Sequence, residues 1–152
     1  MVPNKTITVY LSGPMYLGKE QATGWRDEIK HRILQFQQSD RNRNYVHFNI
    51  LDPCNRWCDK GVQLDDVGGY VVQMDKMEIA KSDVLIVNAT NPGWGTPMEQ
   101  YLAWDAGKMI LAFSDCDFPS IWAKAHSHQF FRTHIEATDF LCSVANQIVR
   151  AV

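Results

Sequence analysis

The chain has no surplus of charge. Its 152 residues carry 15 Lys and Arg against 17 Asp and Glu, a net charge of −2, with both signs mixed throughout. That gives no basic footprint for nucleic acid and no polybasic patch for a membrane surface. No apolar run approaches the roughly 20 residues a bilayer span needs, and the opening "MVPNKTITVYLSGP" has neither the apolar core nor the cleavage site of a signal peptide. A soluble, cytoplasmic protein is expected. Internal repeats, low-complexity tracts and linkers are also missing, so residues 1–152 are read as one domain. Cysteine is sparse, with four residues. Cys54 and Cys58 stand in a C-x3-C spacing, but no second pair follows, and His126, His128 and His134 are too loosely spaced for a ligand signature. Reduced structural thiols are expected, and no metal.

What is present is a hydrophobic content of 45%, enough for a two-sided core, and five tryptophans. Trp94, in "GWG", puts a large aromatic in a loop, where a planar ligand could stack. "TITVYLS" alternates and is β-branched, which predicts a strand over Thr6–Ser12 broken by Gly13-Pro14. Residues 20–38 have helical spacing through Trp25, Ile29, Ile33 and Phe36. "NYVHFNIL" predicts a second strand ended by Asp52-Pro53, and residues 54–64 a loop. A helix is predicted over 65–82, weakened by Gly68-Gly69. "DVLIVNA" reads as a strand buried on both faces. A helix from Pro97 follows, closed by Gly107-Lys108, then a strand in "MILAFS". Residues 115–128 read as a long connection, "QFFRT" as a short fifth strand, and 137–152 as a closing amphipathic helix. Strands alternating with helices predict an α/β, flavodoxin-like open parallel sheet of four or five strands with helices on both faces.

In such sheets ligands sit outside the carboxyl ends of the strands. Three segments fall there: Ser12, Gly13, Pro14 and Met15 after the first strand, Asp52 after the second, and Gly93, Trp94, Gly95 and Thr96 after the third. They are expected to gather round one cleft and bind substrate. Next to them stands Glu99. Thr96-Pro97-Met98-Glu99 spells a capping box, with a hydroxyl N-cap, Pro at the first helical position and Glu at the third. Glu99 is then either a cap carboxylate or a nucleophile at the cleft mouth, and the helix dipole favours its ionised form in both cases. On the preceding helix Gly68, Val72, Asp75 and Ile79 share a stripe. A carboxyl between apolar neighbours has a raised pKa and suits a general acid. Glu78, on the adjacent stripe, is a rival, and the plain alternative is that both acids are rim charges on a solvated face. One nucleophilic and one acidic carboxyl are the minimal equipment for cleaving a glycosidic bond, here with a nucleobase nitrogen as a possible leaving atom.

"VYLSGPMY", "ILDP", "MDKMEIAKSDVLIVN" and "GTPMEQYLAWDAGK" together resemble the nucleoside 2-deoxyribosyltransferase family, including its small phage and bacterial relatives, in the same order from Tyr10 to about Phe113. The resemblance implies that Glu99 is the nucleophile, that Asp75 binds and protonates the base, and that Tyr10 hydrogen-bonds the nucleophile. It implies that Gly13 and Pro14 line the nucleoside pocket with Met15 near the base, and that Gly95 and Thr96 form the loop feeding the nucleophile helix. It implies a small-molecule nucleoside or nucleotide as partner, no cofactor, and a homo-oligomer. One departure is Gly93, where several members carry a second, base-contacting aspartate. Some relatives without it are N-glycosidases of nucleoside 5′-monophosphates. "SGPMYLGKE" is not glycine-rich enough for an evident phosphate cradle, though Arg26 and Lys19 are candidate phosphate partners, with a solvated helix face as the alternative. The expected activity is cleavage, or cleavage and transfer, of the N-glycosidic bond of a 2′-deoxynucleoside or its monophosphate. The rivals are a nucleotide-binding or sensing module without turnover, an NAD-type glycohydrolase, and an interaction protein.

Overall fold

In the computed structural model, residues 5–15, 19–42, 45–57 and 67–151 are described, the side chains of 19–21 excepted. Lys19 and Cys58, named above, therefore lie outside what is described of side chains. Five strands, β1 (Thr6–Ser12), β2 (His47–Leu51), β3 (Val84–Asn88), β4 (Met109–Phe113) and β5 (Gln129–Phe131), form one sheet in the order β2-β1-β3-β4-β5. Every pairing is parallel. The helices are α1 (Lys19–Gln37), α2 (Cys54–Trp57), α3 (Gly68–Lys81), α4 (Gly95–Asp105), α5 (Ile121–Ala125) and α6 (His134–Ala151). This is the flavodoxin-like order, which reverses direction between β1 and β3. Among the described residues no helix is long and apolar enough to cross a membrane.

The period-two alternation of the strands sorts their side chains onto two faces. Ile7, Val9 and Leu11 of β1 join Val84, Ile86, Leu111 and Phe113 in one cluster, covered by Trp25, Ile29 and Ile33 of α1 and Ala137, Leu141 and Ala145 of α6. Tyr10 joins Leu85, Val87, Ile110 and Ala112 in the other, covered by Ile79 of α3 and Ala103 of α4. The same alternation sends Tyr10, and two residues on Ser12, toward α3 and α4. Both are fully buried.

Local chemistry explains where the elements depart from the sequence reading. The stretch read as a loop opens with α2, because the carboxylate of Asp52 accepts the Cys54 N–H at 2.9 Å and Pro53 needs no donor at the first helical position. Residues 115–128 contain α5, which begins after Ser120, whose hydroxyl accepts the Ala123 N–H. The closing helix starts at His134, three residues early, since Thr133 Oγ1 accepts the Glu136 N–H at 3.1 Å. α4 starts at Gly95, two residues before Pro97, and the residue preceding it, Trp94, already has helical angles (φ −64°, ψ −34°) with no side-chain cap. Thr96 is thus not the N-cap and Glu99 not its capping partner. Gly107, at φ 74°, ends α4 in the left-handed conformation that glycine adopts without strain.

Candidate active site

Glu99 lies in the second turn of α4 with its carboxylate turned onto β1. Tyr10 Oη donates to Glu99 Oε1 at 3.0 Å, and Ser12 Oγ donates to Glu99 Oε2. Each oxygen therefore has its own hydroxyl. Burial raises the Glu99 carboxyl to about 7, opposed by the Ser12 and Tyr10 hydrogen bonds and reinforced by the nearby charge of Asp75. Burial first, and the adjoining Glu99 carboxylate second, push the Tyr10 phenol far up, so it is a permanent donor.

Asp75 comes from α3 and is buried. Its charge acts on both Tyr10 and Glu99. Its stripe is Val71, Asp75 and Ile79, which are the buried residues of α3. Val72, expected on that stripe, is half exposed. Burial pushes the Asp75 carboxyl up, against the lowering effect of a guanidinium that the sequence reading did not assign, Arg56. Arg56 Nη2 pairs with Asp75 Oδ1, and Nη1 pairs with Glu78 Oε1 at 2.5 Å. Glu78, the rival acid, is thus on the same guanidinium rather than on an open solvated face. The signal for Arg56 was the cap formed by Asp52-Pro53. It starts a helical turn at the carboxyl end of β2, and the residue completing that turn faces the cleft.

The turn after β1 is held from behind. Arg26 is fully buried, and its guanidinium donates to the carbonyls of Ala22 at 2.5 Å, Gly13 at 3.0 Å, Leu11 at 3.4 Å and Pro14 at 3.5 Å. Its Nε lies 3.2 Å from Asp52 Oδ1. Asp52 is also buried, and its second oxygen meets Lys30 Nζ at 2.5 Å. Arg26 is therefore neither on a solvated face nor open to a phosphate, and Asp52 is engaged with α1 and α2 rather than presented to the cleft. Gly13 is required by space: a Cβ there would stand 2.7 Å from the Trp25 ring and 3.0 Å from Asn88 Cβ. Asn88, buried at the end of β3 and accepting the Thr90 N–H at 3.0 Å, is a second residue the sequence reading left out. Pro14 and Met15 are half-buried at the rim, Thr96 is buried, and Gly93, Trp94 and Gly95 are exposed, Trp94 at 90%.

The arrangement can do two things chemically. A carboxylate held by two hydroxyls can attack an electrophilic carbon, and a buried carboxyl beside it can supply a proton. No family model matches the chain, and no curated protein matches it. Solved structures do. A 2-deoxyribosyltransferase from Bacillus psychrosaccharolyticus aligns over 87% of this chain and 90% of its own, with a TM-score of 0.62 at 15% identity. A conserved protein from Enterococcus faecalis V583 aligns over 88% and 96%, with a TM-score of 0.62 at 12% identity. A CMP N-glycosidase from Clostridium botulinum aligns over 88% and 97%, with a TM-score of 0.51 at 13% identity. At such identities the likeness is one of fold, and this chain has the fold of those proteins.

Proposed function

We propose that this protein cleaves the N-glycosidic bond of a 2′-deoxynucleoside or its 5′-monophosphate, through a covalent bond between Glu99 and the sugar. A Glu99 oxygen bonds to the anomeric carbon as the bond from that carbon to the base nitrogen breaks. The electron pair of that bond stays on the nitrogen, which takes a proton from Asp75. Water or a second base then attacks the anomeric carbon, gives up a proton to the Asp75 carboxylate, and releases Glu99 as its C–O bond breaks. Tyr10 and Ser12 hold the carboxylate in a single orientation, so little is lost in arranging it when the sugar arrives.

The observation that carries this reading is the half-buried Glu99 carboxyl, gripped by two hydroxyls from β1, with the buried carboxyl of Asp75 close enough for its charge to act on it. The fold shared with a 2-deoxyribosyltransferase and a CMP N-glycosidase supports it. Association of copies of this chain belongs to the same reading. Exposed Trp94, Met98 and Tyr101 along one side of α4, with Ile121 and Trp122 of α5, support it, and sedimentation measures it.

The test is chromatography of deoxynucleosides and their monophosphates, with and without an acceptor base, alongside mass spectrometry after exposure to a 2-fluoro-2-deoxy nucleoside. Release of free base and a stable adduct on Glu99 are expected. Binding without release or adduct would favour a sensing module, and release of nicotinamide from NAD alone would favour a dinucleotide glycohydrolase.

A further inference from the structure

Glu99 and Asp75 are not independent. Tyr10 Oη donates to Glu99 at 3.0 Å, and the charge of Asp75 acts on both of them. A buried carboxyl and a half-buried one coupled in this way do not both ionise without repulsion, so they hold one proton between them. The surroundings of the two are unequal. Glu99 meets neutral hydroxyls, whereas Asp75 meets the guanidinium of Arg56. The charged and titratable groups facing the pair are Tyr10 from β1, Glu78 from α3 itself, Arg56 from α2 and, more distantly, Arg26 from α1.

We propose that Arg56 is a positioning residue for the proton of this pair: by pairing with Asp75 it keeps the shared proton on Glu99 in the empty site, and Glu78 moderates it by sharing the same guanidinium. The resting site thus holds its nucleophile protonated and its acid ionised. Before the glycosidic bond breaks, the proton passes from Glu99 to Asp75. Glu99 becomes the free carboxylate, and Asp75 carries the same proton to the departing nitrogen. No proton enters from solvent. A base docking against Asp75 loosens the Asp75–Arg56 pair and drives the transfer, so the nucleophile is released only when a leaving group is present. This reading rests on the function proposed above.

The two charges beside Asp75 predict opposite effects. Arg56→Gln removes a positive charge, so the pair holds its last proton more tightly, and the alkaline limb of kcat/KM for a natural deoxynucleoside moves up by about one pH unit or more. Glu78→Gln leaves the guanidinium unopposed, and the limb moves down. Arg56→Lys keeps the charge and restores most of the original limb. A packing role would change KM or stability and leave the limbs in place. Carboxyl 13C NMR of the unliganded protein, with aspartate and glutamate labelled, reads the pair without any substrate. Asp75 and Glu99 resonances should each titrate in two shared steps, and Glu99→Gln should reduce Asp75 to a single step at lower pH. Independent single steps, or limbs that stay put or move the same way in both variants, would overturn the proposal. If no nucleoside is cleaved, the functional reading fails while the NMR titrations of wild type, Arg56→Gln and Glu78→Gln still decide the role of Arg56.

Discussion

Tyr10 and Glu99, 89 residues apart in the chain, meet at 3.0 Å between Oη and Oε1. Ser12 reaches the other oxygen of the same carboxylate. The relation follows from two periodicities. β1 sends every second side chain to the α3 and α4 face, and α4 leaves β3 with its second turn against that face. A glutamate is thereby fastened by a strand that belongs to another part of the chain, and only the parallel order β1-β3 brings the two together.

Glu99→Gln should abolish turnover and raise stability at alkaline pH. The Glu99 carboxyl titrates at about 7 in the folded chain, above its ordinary value of 4.5, so folding favours its protonated form. Stability from this group is full below the ordinary value and is lost as pH rises through about 7. Glutamine keeps the neutral shape and removes the loss. One unit of such a shift corresponds to about 1.4 kcal/mol, and a gain of ~1 kcal/mol moves Tm by about 2–4 °C in a chain of this size. Thermal unfolding at pH 4 and pH 8 checks it, with nearly equal Tm expected at the lower pH and a higher Tm for the variant at the upper.

Tyr10→Phe and Ser12→Ala should each raise the Glu99 titration further, since both hydroxyls favour its ionised form. A hydrogen bond to a charged group contributes about 1.5–3 kcal/mol, so kcat is expected to fall roughly 10- to 100-fold in either variant, and more in the double variant. A substrate with a strongly activated base isolates the nucleophile, because its departure needs no proton. With it, kcat/KM for the wild type should rise as pH passes about 7, and in the two variants the rise should come later. A natural deoxynucleoside should show the reverse, losing rate above about 7 as the carboxyl pair loses its proton.

Asp75→Asn should slow a natural deoxynucleoside far more than one bearing an activated base. The side chain is buried on α3 beside Tyr10 and Glu99, and its carboxyl is raised by burial. Rates on the two substrates measured side by side test this. Equal slowing would make Asp75 a binding group only, and no effect would shift the acid role to Glu78, which shares Arg56.

Much of this was legible in the chain, for reasons tied to particular residues. The alternation of "TITVYLS", the fully apolar "VLIV" and the turn at Gly107 each have one physical solution, and the sheet followed from them. The motif Thr-x-x-Glu shows where local rules stop. It occurs at Thr96–Glu99 and at Thr133–Glu136. Thr133 caps α6, whereas Glu99 leaves its own helix end for two hydroxyls on β1. Nothing within four residues separates the cases, because the competing partners come from elsewhere in the sheet. Arg26 and Arg56 were hidden for the same reason. A basic residue on a helix reads as solvated until the carbonyls of Gly13 and Leu11, or the carboxylates of Asp75 and Glu78, are brought against it. The offset between Val71 and Val72 is smaller: both fit helical spacing with Asp75, and only the packing on β1 and β3 selects the i, i+4 row.

Gly13→Ala should destabilise the turn after β1 and lower activity with it. The added methyl would meet the Trp25 ring at 2.7 Å and Asn88 at 3.0 Å, and the Trp25 ring is packed edge-on against Phe113 at 5.4 Å, so it has little room to retreat. Overpacking of this kind costs about 1–3 kcal/mol. Because Arg26 ties the Gly13 carbonyl to the rest of the turn, displacement there is transmitted to Ser12 and Glu99. Denaturant unfolding should show the lower stability, and turnover should fall even at temperatures where the variant is folded. Unchanged turnover in a folded variant would show that the turn and the carboxylate are uncoupled.

Gly93→Asp should be tolerated and should move the products from hydrolysis toward transfer. Gly93 is exposed, a Cβ there meets nothing within 4 Å, and its backbone is not in the left-handed region, so the substitution carries no steric cost. Water needs no recognition to attack a glycosyl-enzyme, while an acceptor base must be bound, oriented and deprotonated. With glycine at this position the wild type has no carboxylate six residues before Glu99 to hold such a base, and exposed Trp94 can stack on a ring without selecting its edge. Free sugar and free base are therefore the expected main products of the wild type, with loose base preference. An aspartate at 93 offers the missing acceptor for a ring N–H or an exocyclic amine. Incubating a deoxynucleoside with a large excess of a second base, and measuring new nucleoside against free sugar, compares the two proteins. A several-fold rise in that ratio for Gly93→Asp is expected. A wild type that already makes far more transferred nucleoside than free sugar would mean that an incoming base is held by residues other than the one at 93.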